Sequence, residues 1–441
     1  MKLSLIIATH NRGPVLLDCL HRTLAAIPLP RTAFEILIVD NASTDGTPAL
    51  MAKTFPDITL LPLQKNLGPV AKNLAIARAT GEFLLLLDDD AYPHPGAIPQ
   101  MLRHFAADPD LAAAVFDVTL PDGSKEASAY PDVFIGAGTA LRRSALEAIH
   151  ALPHPFPQHF FMQAEEYDLS FRLLNAGFSI KRFADLPLTH LKTPNARIST
   201  RTTRLDVRNN LFLLARYLPE PLCHQLAADW LDRYFRMALK RDATSNPERP
   251  SRSGLLFAKP LDEPPALTHK KAFLQGAAEG LARWTHQRHK NRHLLSPQTL
   301  ERLFKFNVIK ARLALAAKQQ RARRLVFADY GKNLFAFHTA AADLGLPVLA
   351  IADDHLARPA SPQTPSDNYR GTPLLTWQAL RDSPLLQKID LIVVANLNPV
   401  QAPARAAALG RTLSCPVVDL FSPALPAPRH PAGRLVQITQ T

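Results

Sequence analysis

The chain has 441 residues, of which 47% are hydrophobic and 20% are charged. This length is enough for two or three domains with sizeable cores, and no apolar run approaches the length of a membrane span. The formal net charge is +13, and residues 231–324, the basic block, contain 21 Lys or Arg against 7 Asp or Glu.

The basic block could hold nucleic acid, anionic lipid or a phosphorylated ligand. It carries no recognisable nucleic-acid module and few aromatic residues, so we exclude nucleic acid and favour an anionic membrane face or simple solvation. The polar residues 9–12 interrupt the first apolar stretch, which indicates a strand and not a signal peptide. We expect a cytoplasmic protein, with peripheral contact to the inner face of the cytoplasmic membrane as a further hypothesis.

The first 200 residues alternate apolar strand-like runs with longer helical patterns. Strands are predicted at 3–8, 34–39, 58–63 and 83–87, and helices at 14–26, 47–55 and 70–79. This alternation predicts a parallel sheet that is covered on both faces. Ligands of such sheets bind beyond the carboxyl ends of the strands, so the polar segments after each strand are candidates for one site.

The rest of the chain is predicted to contain a helical region and a small α/β domain. Helical patterns fill 204–324 around a proline-rich loop at 246–265, and a solvated face is the favoured interpretation of Arg208 and Asn209. Strands at 325–328, 348–352 and 391–395, a helix at 333–344 and a Pro/Ser segment at 358–365 follow. Only Gly331 stands where a dinucleotide fold carries a glycine-rich turn, which favours a packing or interaction role.

The stretch FLLLLDDDAYP, residues 83–93, sets three consecutive carboxylates after a buried strand. Asp88 and Asp90 could hold Mg²⁺ or Mn²⁺, which bind through one or two carboxylates and take substrate phosphates and water as further ligands. The competing interpretation of the three aspartates is a solvated turn before Pro93.

Five segments occur in order across the first half of the chain. They are LSLIIATHNR, ILIVDNASTDGT, NLGPVAKNLAIARATGEFLLLLDDDAYP, GAGTALRRSAL and AEEYDLSFRLLNAGF. Their order and spacing resemble the inverting nucleotide-sugar glycosyltransferases of family 2, which have the GT-A fold, over about residues 1–220. The fold class expected is therefore α/β, with a GT-A domain at 1–220, a basic helical region at 221–323 and a Rossmann-like domain at 324–441.

The resemblance implies metal-dependent, inverting transfer of a sugar from a nucleoside diphosphate donor to a hydroxyl acceptor. The acceptor implied is a saccharide or lipid-linked saccharide, in the synthesis of cell-surface polysaccharide or glycolipid. The alternative is a non-catalytic nucleotide-sugar-binding or scaffold protein of a glycan assembly complex. A sugar nucleotidyltransferase is disfavoured, because no glycine-rich, cation-bearing loop follows the first strand.

Carried over residue by residue, the resemblance also implies a set of site residues. They are Thr9, Asn11, Asp40, Lys72, Asp89 and Gly138 for the donor, and Asp88, Asp90 and His190 for Mn²⁺ or Mg²⁺. Four of them have a structural alternative: Asp40 can belong to an Asx-rich turn, Lys72 can be solvated, Gly138 can serve a turn alone, and His190 can be structural or exposed.

The pair Glu165 and Glu166 supplies the general base that the resemblance implies. The family usually has Glu-Asp or Asp-Asp here, so the choice between the two glutamates stays open. On a helix, Glu165 and Asp168 share a face and Glu166 turns away, whereas ahead of the first turn both glutamates could reach a cleft. A capping acidic turn without a catalytic role is the structural alternative.

Overall fold

The computed structural model describes residues 2–192, 199–244, 268–290, 292–357 and 367–422. The strands are β1 Leu3–Thr9, β2 Phe34–Asp40, β3 Thr59–Pro62, β4 Phe83–Asp88, β5 Ala91–Pro93, β6 Leu111–Thr119, β7 Lys125–Glu126, β8 Thr139–Arg142, β9 Ser179–His190, β10 Leu325–Ala328, β11 Val348–Ala352, β12 Asn368–Tyr369, β13 Thr372–Leu375, β14 Leu391–Val394 and β15 Val417–Val418. The α-helices are α1 Gly13–Ala25, α2 Thr47–Thr54, α3 Lys72–Ile76, α4 Ala97–Ala107, α5 Arg143–Ala148, α6 Glu165–Asn175, α7 Thr200–Tyr217, α8 Leu222–Thr244, α9 His269–Ala282, α10 Trp284–Lys290, α11 Pro297–Phe304, α12 Phe306–Gln319, α13 Leu334–Asp343, α14 Trp377–Asp382 and α15 Gln401–Gly410.

The first sheet runs in the order β3-β2-β1-β4-β8-β6-β9-β5, with β7 paired to β6. From β3 to β4 the strands are parallel, and Leu3 of β1 lies opposite Phe34 of β2 and Phe83 of β4. The apolar residues of β4 alternate between two cores, with Leu84 and Leu86 facing one and the intervening leucines facing the other. The predicted strands of this half are confirmed: β1, β2 and β4 are continuous apolar runs buried on both faces, whereas β3, at the edge of the sheet, is partly exposed.

The other half of the sheet is mixed. Strand β8 runs antiparallel to β4 and β6, β9 runs parallel to β6, and β5 runs antiparallel to β9. The sequence did not predict these strands, because β6 is rich in alanine and β9 contains Pro187, and both residue types are uncommon in strands.

Helices cover both faces of the first sheet. Leu16 of α1 and Met101 of α4 belong to one core, while Ile76 of α3, Leu169 of α6 and Phe212 of α7 belong to the other. Because α6 and α7 pack side by side against the sheet, the amino-terminal end of α6 lies near the carboxyl ends of β1 and β4.

Beyond α7 the described residues form helices α8 to α12, as predicted for the basic block. The second sheet then follows in the order β12-β13-β11-β10-β14-β15, parallel except for β12 against β13. The loops predicted at 246–265 and 358–365 lie outside the described residues. Within the described ranges no helix is both long and apolar enough to cross a bilayer.

The predicted fold class is confirmed: an α/β first domain of GT-A type, a helical middle region and a smaller α/β sheet. The domain boundaries at 220 and 323 stay predictions.

Candidate active site

A cavity of about 940 Å³ opens beyond the carboxyl ends of β1 and β4, where parallel sheets bind ligands. Nine of the eleven predicted site residues line it: Thr9, Asn11, Lys72, Asp88, Asp89, Asp90, Glu165, Glu166 and His190. The two others, Asp40 and Gly138, do not line it.

Asp88, Asp90 and His190 each bring one ligand atom to within 4.8 Å of the others. His190 Nε2 lies 3.1 Å from Asp90 Oδ1 and 3.8 Å from Asp88 Oδ2. Strand β9 delivers the histidine, since His190 pairs with Ala91 immediately after the acidic triplet. Two carboxylates suit Mg²⁺ or Mn²⁺, and the added imidazole favours a softer ion than Mg²⁺. The three residues therefore fit a divalent cation.

Glu126, which the sequence patterns did not single out, fixes the ring of His190. Its two oxygens lie 2.9 Å from His190 Nδ1 and 2.9 Å from Lys192 Nζ. Nε2 is thereby turned toward the aspartates, as in carboxylate–histidine–metal arrangements. Burial would lower the pKa of His190, but hydrogen bonds to Asp90 and Glu126 outweigh burial and raise it to about 9. Glu126 carries no sequence signal, because the two-residue strand β7 lies in a polar segment.

Lys72 neutralises the first carboxylate of the acidic triplet. Its Nζ donates to Asp88 Oδ1 at 2.9 Å and to the carbonyl oxygen of Gly136 at 3.4 Å. Burial alone would raise the pKa of Asp88, but Lys72 and His190 outweigh burial and hold it below the usual value. Lys72 is 4% exposed and is therefore not the solvated helix residue that we considered.

Arg12 neutralises the other two carboxylates. Its Nη1 lies 2.9 Å from Asp89 Oδ1 and 3.1 Å from Asp90 Oδ2, and Thr9 Oγ1 donates to Asp89 Oδ2 at 2.9 Å. Burial raises the pKa of Asp89 above its usual value, and Arg12 offsets this only in part. The triplet is not the solvated turn before Pro93, since Asp89 and Asp90 are buried.

Asn11 follows β1 and lines the cavity, whereas Asp40 ends β2 and does not. Asn11 has a positive φ of 53°, and its Oδ1 accepts a hydrogen bond from the Thr44 amide at 2.7 Å. Asp40 Oδ2 accepts from the Ser43 amide at 3.1 Å, which is the Asx turn of the structural interpretation. Its buried Oδ1 has no hydrogen-bond partner among the described residues. The next residue, Asn41, lines the cavity, so Asp40 lies directly behind this part of the cavity wall.

The structure separates the two glycines of the segment GAG. Gly136 lines the cavity, and a Cβ there would lie 2.8 Å from Glu166 Oε1. Gly138 has a φ of 74°, and a Cβ there would lie 2.7 Å from Leu188 in the packed core. The turn interpretation accounts for Gly138, whereas Gly136 is the glycine that leaves room at the cavity.

Glu165 and Glu166 occupy the first turn of α6, and both line the cavity. Glu165 is 4% exposed, while Glu166 is more accessible. Burial, and then Glu166, raise the pKa of Glu165 well above its usual value, and burial raises the pKa of Glu166. Asp168 does not share this role, because it is buried in ion pairs with Arg172 and Arg216.

The entry loop, residues 160–164, leads the chain into α6. Three of its residues have positive φ values of 63°, 70° and 69°: Phe161, Gln163 and Ala164. Non-glycine residues in this region store strain and persist only where their surroundings hold them. Asn209 does so here, since its Nδ2 lies 2.8–3.0 Å from three carbonyl oxygens, those of Phe160, Met162 and Gln163. The interpretation of Asn209 as part of a solvated face is wrong, because its side chain is fully buried.

Residues 4–156 match the family model for glycosyl transferase family 2. These residues form a family 2 glycosyltransferase domain. The matched range contains the acidic triplet and Glu126, while Glu165, Glu166 and His190 follow it in the chain. The resemblance read from the five segments is therefore confirmed.

Two curated relatives and one solved structure illustrate the similarity. YwdF, an uncharacterized glycosyltransferase of Bacillus subtilis strain 168, is 34% identical over 104 residues, covering 23% of this chain and 38% of YwdF. The poly(ribitol-phosphate) β-N-acetylglucosaminyltransferase TarS of Staphylococcus aureus strain Mu50 is 36% identical over 96 residues, covering 21% of this chain and 17% of TarS. The matched stretch thus spans well under half of either relative. The S. aureus TarS 1–349 structure with UDP-GlcNAc has a TM-score of 0.45 and 18% identity, over 78% of this chain and 92% of that one.

Replacing Asn209 should loosen the entry loop. Asn209→Ala removes the donor that three carbonyl groups share, and although Phe160 O keeps the Met162 amide, the carbonyls of Met162 and Gln163 lose this side-chain partner. An unsatisfied buried group costs about 1–3 kcal/mol. We expect a lower melting temperature and faster hydrogen exchange in residues 160–166. Asn307→Ala, on an exposed helix end, is the control. Equal exchange in the two variants would show that Asn209 does not hold the loop.

Proposed function

We propose that the protein is a metal-dependent inverting glycosyltransferase, which moves a sugar from a nucleoside diphosphate donor to a hydroxyl acceptor. One observation carries the proposal: a cation-binding group and a buried carboxylate pair with raised pKa values face the same cavity of a family 2 domain. Perturbed carboxylates in a cleft are candidates for acid–base roles.

The donor would lie along the carboxyl ends of β1, β2 and β4. Asn11 and Asn41 line the end where the nucleoside would bind. Asp40, whose Oδ1 has no hydrogen-bond partner among the described residues, lies behind Asn41 and would meet a polar edge of the base only where this wall opens. The diphosphate would lie toward Lys72 and Arg12, whose positive charges already face the triplet.

Asp88, Asp90 and His190 would hold the divalent cation. When bound, such an ion neutralises charge that develops on a departing diphosphate. The protein residues contribute by position: Glu126 orients the imidazole, and Lys72 and Arg12 keep the carboxylates ionised and in place.

Glu166 is the proposed general base. It is the more accessible of the two glutamates. Its Oε1 lies against Gly136, which has no side chain to shield the carboxylate from the cavity. Burial raises its pKa, which strengthens it as a proton acceptor once it is ionised. Glu165 is more deeply buried beside it and has the more strongly raised pKa, so Glu165 would stay protonated when Glu166 is ionised.

The acceptor is proposed to be a saccharide or lipid-linked saccharide in polysaccharide or glycolipid synthesis. TarS, by its name, is a β-N-acetylglucosaminyltransferase of poly(ribitol phosphate), which supports a hydroxyl-bearing polymer as the acceptor. An anionic membrane is the proposed location of a lipid-linked acceptor.

Helix α9 offers a face for that membrane. Leu274 and Leu281 are 53% and 52% exposed, and they lie seven residues apart, on one side of the helix. Exposed Lys270, Lys271 and Arg283 flank them, whereas nearby Glu279 is engaged by Arg204 and Arg208. Exposed leucines between cations match the surface of an anionic bilayer. The start of α9 bonds to α7 beside the residues that line the cavity, so a lipid-borne acceptor would be near.

Donor binding should depend on the metal through Asp90. A panel of nucleoside diphosphate sugars with and without Mn²⁺ should raise the melting temperature for at least one donor, because ligands of the native state stabilise it. Asp90→Asn should abolish the Mn²⁺-dependent part of that increase, and the exposed Asp57→Asn should retain it. Binding without any transfer or hydrolysis would instead support the non-catalytic alternative.

Glu166→Gln should lower turnover with that donor by about 10²- to 10⁴-fold, since an amide cannot accept the proton. Donor affinity, measured by calorimetry, should change little. Glu165→Gln is the matched comparison and should retain more activity. Equal activity in the two variants would remove the assignment of Glu166 as the base.

Vesicle flotation should detect the α9 face. Lys270→Glu with Lys271→Glu should weaken binding to vesicles containing 30% phosphatidylglycerol by about tenfold or more, because each basic residue near such a surface contributes about 1 kcal/mol. Arg381→Glu with Lys388→Glu, exposed on the second α/β sheet, is the charge-matched control. An equal loss of vesicle binding in the control pair would exclude α9 as the contact. Unchanged vesicle binding in both pairs would exclude it as well.

A further inference from the structure

The parallel strands of the second sheet have the order 3-2-1-4-5 of a doubly wound fold, in which two loops flank the point where the strand order reverses. Strands β10 and β14 are neighbours there, and the chain leaves them through residues 329–333 and 395–400. Ligands of such sheets bind in the crevice between these loops. The two loops are called the crevice loops below.

Residues 127–129 of the family 2 domain lie against the crevice loops. Asn398 Nδ2 donates to the carbonyl oxygen of Ala127, and Asn333 Nδ2 donates to that of Ala129, both at 2.9 Å. These carbonyls belong to the segment that directly follows Glu126. The backbone that carries the partner of His190 is thus bound where a doubly wound sheet would take a ligand.

Both asparagines are buried, and hydrogen bonds to its oxygen also fix Asn398. Asn398 is 3% exposed, and its Oδ1 accepts from the amides of Val400 and Gln401 at 3.0 and 2.9 Å, which anchors the side chain at the start of α15. Asn333 is also 3% exposed. The amide donor of Asn398 therefore has little freedom to follow the segment if it moves.

Lys332 of the same loop reaches the other side of the candidate site. Its Nζ donates to Asn210 Oδ1 at 2.9 Å and lies 4.9 Å from the ring centres of Tyr167 and Trp230. Tyr167 follows Glu166 in α6, and its hydroxyl accepts from Ser128 Oγ at 3.3 Å. The crevice loops therefore contact the backbone next to Glu126 and the residue next to Glu166.

We propose that the crevice loops are a docking surface for residues 127–129 of the family 2 domain, and that Asn398 and Asn333 are positioning residues for Glu126 and His190. The inference rests on the proposed function insofar as His190 binds a metal. The second sheet would then act on the cavity from outside it, by fixing the histidine ring through Glu126.

Asn398→Asp tests the docking contact. The aspartate keeps an oxygen for the amides of α15 but removes the donor to Ala127 and sets a carboxylate against its carbonyl group. Asn396→Asp, two residues earlier, makes the same chemical change, and it keeps the oxygen that accepts from the Asn398 amide at 2.9 Å. We expect faster hydrogen exchange in residues 125–130 for Asn398→Asp and unchanged exchange for the control. Equal exchange in this segment would overturn the proposal.

Mn²⁺ affinity tests the positioning role. Partners in the outer shell of a metal site typically change metal affinity by about 10- to 100-fold, so Glu126→Gln should weaken Mn²⁺ binding by that factor. Asn398→Asp should weaken it by about threefold to tenfold, and Asn333→Ala, which removes the other bond, should do so as well. Asn396→Asp should match the unmodified chain.

A double-mutant cycle separates the outcomes. If Asn398 acts through Glu126, then Asn398→Asp should have no further effect on Mn²⁺ affinity in the Glu126→Gln background. Additive effects would overturn the positioning role. An unmodified chain that binds no Mn²⁺ would refute the proposed metal site, while the exchange measurement would still decide the docking contact.

Discussion

The candidate site depends on how three carboxylates are neutralised at the end of one buried strand. Asp89 and Asp90 are almost completely inaccessible to solvent, and ionised groups of that kind require charged or hydrogen-bonded partners. None of the partners is local: Arg12 follows β1, Lys72 begins α3, and His190 ends β9. The parallel half of the sheet and the late return of β9 beside β5 are therefore conditions for ionising the triplet.

The parallel half and the acidic triplet could be predicted because their signals are local. A strand buried on both faces is a continuous apolar run, and three aspartates directly after such a run are a pattern that the sequence shows without any structure. The mixed half gave no comparable signal, since alanines in β6 and a proline in β9 resemble other structures equally well. That half nevertheless places His190 and Gly136, so the geometry of the site depends on the part of the fold that was hardest to predict.

Asn209 and Glu126 show why the supporting residues escape prediction. Each acts on backbone or on a ring that is distant in sequence: Asn209 bonds carbonyls about 46–49 residues earlier, and Glu126 bonds a histidine 64 residues later. Residue type alone predicts a solvent-exposed side chain for both, because Asn on a basic helix and Glu in a polar turn are ordinarily solvated. Only the folded backbone shows that one holds a strained loop and the other fixes an imidazole.

The two sides of the cavity need different kinds of rigidity. On the cation side, His190 and the carboxylates attract one another, so electrostatics alone tends to hold them together. On the base side, burial raises the pKa of both Glu165 and Glu166, and Glu166 raises that of Glu165 further, so packing must keep the two carboxylates close together. The entry loop with Asn209 provides that constraint from within the domain, and Lys332 adds a contact through Tyr167 from the second sheet. A strained approach to α6 is then consistent with its chemistry, because a relaxed loop would let the two carboxylates move apart and remove the contribution of Glu166 to the raised pKa of Glu165.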